Sequence, residues 1–103
     1  MKIIQEVTEL IHEEIEDVKK YAELAAKVKA EHPSIAQVFY TLSAQEDSHQ
    51  AALHAEVVKI IEQYRRTNGQ PPANMLAVYD YLHNQAIDKL AEARRYQDIY
   101  KNS

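Results

Sequence analysis

The chain has 103 residues and a net charge of -4, from 16 acidic against 12 basic side chains, so it lacks the general basic surface that nucleic acid requires, and no nucleic-acid partner is expected. Its length bounds it to a single domain, residues 1–103, small enough that pairing with another subunit is a common way to bury more surface. With no cysteine, one glycine and three prolines, disulfides, thiolate metal sites and cysteine nucleophiles are excluded, and long helices are favoured over turn-rich sheets.

From Ile3 to Val28 the apolar residues return at helical spacing, as Ile4, Val7, Ile11, Val18, Tyr21, Ala25 and Val28, which predicts a helix over about residues 2–31. The opening MKIIQEVTEL is interrupted by acidic residues, and no run approaches the roughly 18 apolar residues of a membrane span. A cytoplasmic protein with no membrane partner is expected. His32-Pro33-Ser34 follows; the residue before proline is pushed out of the helical region, and proline suits the first turn of a new helix. A tight antiparallel hairpin results.

The next stripe is Ile35, Phe39, Leu42, Leu53, Val57, Ile60 and Tyr64, predicting a second helix over about 34–66. It ends where the only glycine, Gly69, precedes Pro71 and Pro72. A third stripe of Met75 or Leu76, Tyr79, Leu82, Ala86, Leu90, Ala93 and Tyr100 gives a helix over about 73–100. The fold class is all-α.

Polar residues break these stripes at three places. Glu14 occupies the heptad row of Val7, Tyr21 and Val28, and Glu46 and His49 interrupt the stripe of the second helix. A buried carboxylate without a partner is costly. The hairpin brings the three together: Glu14 lies 18 residues before His32, and Glu46 and His49 lie 13 and 16 residues after Pro33, equivalent depths at about 1.5 Å per residue. Glu46 and His49, three apart, share a helix face.

A Glu on one helix and Glu-x-x-His on the next is how ferritin-like bundles hold metal. A complete site takes four carboxylates and two histidines, so one hairpin supplies half, and two hairpins about a two-fold axis would supply the whole four-helix bundle. Oxygen and imidazole ligands suit two iron ions per subunit pair, with manganese or zinc as substitutes. The motif alone is weak. With 11 Glu and 5 His in the chain, chance gives about half an occurrence, and a second copy, Glu9 and His12, lies off the stripe, where it is expected to face solvent. Position in the seam sets Glu46 and His49 apart. The alternative for all three is a polar layer that fixes the register of a metal-free helical dimer acting as an interaction module.

The block Glu13-Glu14-Ile15-Glu16-Asp17-Val18-Lys19-Lys20-Tyr21, with Glu46-Asp47-Ser48-His49, resembles the encapsulated ferritins, whose two-helix subunits pair to build a ferroxidase centre. Lys20 replaces the aromatic residue usual before the tyrosine. The resemblance implies that Glu14 bridges two irons, that Glu46 and His49 complete the ligands, that Tyr21 sits beside the site, and that Glu13 and Glu16 line a path by which metal arrives. It implies an Fe(II)-oxidising enzyme in iron storage or detoxification, a homodimer or higher oligomer, and an encapsulin shell as partner in a nanocompartment, although the sequence ends Tyr100-Lys101-Asn102-Ser103 without an apolar docking tag. A rubrerythrin-like peroxide reductase is the alternative enzyme.

Asp80 and His83, also three apart, flank the third stripe as either a further ligand pair or a satisfied histidine. Glu56 is an accessory ligand or an edge residue. His32 and His54 are expected at the surface.

Overall fold

A computed structural model describes residues 2–103, without the side chains of Met75 and Val78. Three helices, α1 (Lys2–Val28), α2 (Pro33–Asn68) and α3 (Ala73–Asn102), form a rod 56 × 19 × 18 Å in extent. The termini follow local chemistry. His32, at φ -135° and ψ 68°, leaves the helical region before Pro33, which opens α2. Gly69 closes α2 at φ 79°, a left-handed conformation that glycine adopts without a Cβ clash, and its N–H bonds the Arg65 carbonyl at 3.0 Å.

α1 packs against both other helices. It is antiparallel to α2 and parallel to α3, as the contacts His12–Leu82, Lys19–Glu92 and Lys29–Tyr100 show by rising together along both chains. Lys29 Nζ donates to the Tyr100 and Ser103 carbonyls at 2.6 and 2.9 Å, placing a cation at the negative end of α3.

The two ends of the rod are packed differently. Near the α1–α2 turn the buried residues are small: Ala22, Ala25, Ala36 and Ser43 are fully buried. The helices approach closely enough there for Ser43 Oγ to donate to the Val18 carbonyl at 2.7 Å. Toward the other end Ile4, Ile11, Ile15, Val57, Ile61 and Ala86 form the larger core cluster.

α2 and α3 touch mainly through long side chains. Their rungs run antiparallel: Tyr40 stacks on Tyr100 at 4.8 Å, Gln97 Nε2 donates to Ser43 Oγ at 2.9 Å, Arg94 forks onto Asp47, and His54 meets His83.

The buried face differs from the predicted one by about one residue on two helices. On α1 it runs Ile4, Thr8, Ile11, Ile15, Val18, Ala22, Ala25, with Val7, Glu14, Tyr21 and Val28 only half-buried at its edge. On α2 it runs Ala36, Ser43, Gln50, Val57, Ile61, while Ile35 is exposed. The reason is α3. It docks beside α1 and pairs with the polar positions of α2, and Val7, Val28, Phe39, Leu53 and Ile60 are left packing at the edge of the core rather than in its centre.

Candidate metal centre

Glu14, on α1, and Glu46 and His49, on α2, are brought together. One ligand atom from each lies within 4.8 Å of the other two. His49 Nδ1 stands 3.4 Å from Glu46 Oε1 and 3.6 Å from Glu14 Oε2. Side-chain exposure is 27% for Glu14, 21% for Glu46 and 60% for His49, so the carboxylates are sheltered and the imidazole faces outward. The cluster lies on a flank of α2 turned by about 120° from the one that carries Asp47 and His54 toward α3. The third helix therefore leaves it uncovered.

Glu14 Oε2 is buried and has no hydrogen-bond partner. The adjacent Glu46 carboxyl, then burial, raises the Glu14 pKa above its usual 4.5, and His49 only partly offsets them. A buried unpartnered oxygen beside a second carboxylate is costly in the free protein. A cation resolves that conflict, and two oxygen donors with one imidazole fit iron, manganese or zinc.

Tyr21 lies two helical turns from Glu14, about 10 Å along the axis, and stacks on Phe39 with centroids 6.3 Å apart. Glu13 is exposed. Glu16 turns to the other side of α1 and pairs with Lys89 of α3 at 3.7 Å, away from the cluster.

Two other expectations, for His12 and His54, need correction. His12 is half-buried, with Nε2 3.1 Å from the Leu82 carbonyl, because α3 covers that side of α1. His54 is half-buried rather than fully at the surface, and meets His83 at 2.8 Å. His83 therefore pairs across to α2, and Asp80 is exposed. Glu56 pairs with Lys59 at 3.0 Å. His32 is exposed as expected. The sequence reading missed the α2 flank facing α3, although Tyr40, Ser43, Asp47, Gln50, His54, Val57 and Ile61 recur every three or four residues and make a second stripe.

Among the described residues no helix is long and apolar enough to cross a membrane. The sequence model of the family described as Rubrerythrin matches residues 7–102. No curated protein and no solved structure matches the chain.

Proposed function

The chain belongs to the rubrerythrin family of ferritin-like di-iron proteins, and from that premise we propose that it takes Fe(II) as substrate and oxidises it to Fe(III) at a site shared by two copies of the chain. The observation that carries this reading is the buried, unpartnered Glu14 Oε2 with Glu46 and His49 around it. Iron as substrate supplies the electrons: two Fe(II) give two, enough, with two protons in either case, to take one O2 to hydrogen peroxide or one hydrogen peroxide to two waters.

The protein's own residues do the rest. Glu14 and Glu46 supply negative charge to hold the cations, and His49 supplies a neutral nitrogen donor. The Glu46 carboxyl and burial raise the Glu14 pKa, so protons compete with metal for this carboxylate and metal affinity is expected to fall in acid.

Two carboxylates and one imidazole are half of a four-carboxylate, two-histidine set. Sharing the site is supported by what surrounds it. Leu10 (47% exposed) lies one turn before Glu14 on the same side of α1 and Ile3 (47%) two turns further back, with Ile35 (44%) and Val38 (48%) on the His49 side of α2. Exposed large apolar residues beside an incomplete ligand set suit a second copy. The encapsulated-ferritin resemblance extends the proposal to iron storage or detoxification, in a higher oligomer or protein shell where mineral could accumulate.

Aerobic addition of Fe(II) to the purified protein, with Fe(III) followed by absorbance and metal per chain counted, tests the reading. Glu46→Ala and His49→Ala should each slow oxidation at least tenfold; parent-like rates in both would refute the site. The family match favours peroxide reduction as a second reading. Faster iron oxidation by hydrogen peroxide than by O2 would select it, with electrons arriving from outside these 103 residues, which contain no cysteine for a rubredoxin-type centre.

A further inference from the structure

Across the core from the carboxylate cluster, α2 and α3 bring two more metal-ligating side chains together. His54 Nε2 and His83 Nδ1 are 2.8 Å apart, with ring centroids at 4.7 Å and planes inclined by 26°. Both side chains are half-buried. Tyr79, one turn before His83, stacks on its ring at 5.6 Å and 17°, which restricts how that ring can turn. The pair borders a cavity of about 210 Å³ whose other walls include Ile11, Ile15, Ala86, Ile87 and Leu90.

We propose that His54 and His83 form a second metal site, separate from the Glu14, Glu46 and His49 cluster: a two-imidazole clamp for a late first-row divalent ion such as Zn²⁺, joining α3 to α2. Without metal, one ring must donate a proton to the other. A metal ion instead accepts both lone pairs at once. Two imidazole nitrogens on one tetrahedral zinc, each at about 2.0–2.1 Å, stand about 3.3 Å apart, so the gap has to open by only about half an ångström, within the reach of small side-chain rotations.

The donor chemistry separates the two sites. No carboxylate is hydrogen-bonded to either ring among the described residues, so this site offers neutral nitrogen alone, which favours zinc or copper over the harder ions suited to an oxygen-rich site. Its apolar surroundings give a bound ion little competing solvation, and the adjoining cavity leaves room for water or a small ligand at the remaining coordination positions. The location also matters mechanically. Among the described residues His54–His83 lies nearer the α2–α3 turn than the hydrogen-bonded or stacked rungs Asp47–Arg94, Ser43–Gln97, Tyr40–Tyr100 and Gln37–Tyr100.

The test is zinc binding to the full-length Glu46→Ala, His49→Ala double variant, in which the first cluster is dismantled. Equilibrium dialysis should find one Zn²⁺ per chain, and saturating Zn²⁺ should raise the thermal midpoint by several degrees over the chelator-treated protein. Adding His54→Gln and His83→Gln should abolish both effects. His83→Asn alone, with an unchanged metal-free midpoint as proof of folding, should weaken zinc binding at least tenfold. Zinc stoichiometry and stabilisation that survive loss of both imidazoles would overturn the proposal, as would the absence of any zinc-dependent rise while both are present. Neither result bears on iron oxidation, so the two readings fail independently.

Discussion

Glu14 Oε2 and His49 Nδ1 face each other across the α1–α2 hairpin at 3.6 Å, too far for a hydrogen bond, and the carboxylate oxygen is left buried and unpartnered. In the metal-free protein this arrangement opposes stability. Glu14→Gln should raise metal-free stability by about 1 kcal/mol while lowering the iron-oxidation rate at least tenfold. The pH dependence carries a sign. The folded pKa of Glu14 is raised above 4.5, so its favourable contribution is present below pH 4.5 and lost as pH rises through the folded value. The gain from Glu14→Gln should therefore be largest at neutral pH and vanish below about pH 4.5. Chemical unfolding of both proteins across that range, in chelator, checks it; a variant less stable than the parent at pH 7 contradicts the reading.

Asp47 and Arg94 tie α3 to α2 with bonds of 3.0 and 3.1 Å. Burial pushes the Asp47 carboxyl upward, but hydrogen bonds from Arg94 and Gln50 outweigh it and hold the pKa below 3.8. The stability it contributes is present above pH 3.8 and lost as pH falls through the folded value. Arg94 is 53% exposed and Asp47 17%, so solvent screening limits the pair, and Asp47→Ala should cost about 1 kcal/mol at pH 7. The difference from the parent should shrink in acid, as denaturant titrations at pH 7 and pH 3 would show.

The helices and their ends are legible in the sequence because proline and glycine act locally: Pro33 and Gly69 mark boundaries whatever packs around them. The side of each helix that becomes buried is not local. The Ile35 and Phe39 stripe looks like the core of a hairpin, yet Ile35 is exposed and Phe39 packs only at the edge of the core. Once α3 docks, Ala36, Ser43 and Gln50 take the interior because close helix approach rewards small side chains and paired polar groups. Grouping Glu14, Glu46 and His49 survives this rotation, since it depends on depth along the hairpin and on a shared flank. The His54–His83 pair is invisible from spacing alone, because it joins helices whose relative rotation only the third packing partner fixes.

Ile15 and Val57 are almost fully buried in the larger core cluster. Ile15→Ala should cost about 3 kcal/mol, the removed surface and the cavity left behind both contributing. Calorimetry in chelator would measure it, and a loss under 1 kcal/mol would show that the helices collapse into the space.

Leu10 and Val38 are exposed on the flank that carries the carboxylate cluster. Leu10→Glu with Val38→Glu should leave helical content unchanged, shift the protein's mass in solution from dimer to monomer, and reduce iron oxidation in parallel. Unchanged mass with parent-like oxidation would show that the flank is not the subunit contact.

α1 and α3 are parallel neighbours at opposite ends of the sequence, whereas α1 and α2 meet through a turn of a few residues. Contacts between distant segments form slowly, after the local ones. During synthesis the first two helices can close on each other before the third has left the ribosome. Glu14, Glu46 and His49 would then stand together, able to capture metal, while the other side of the hairpin still waits for its cover.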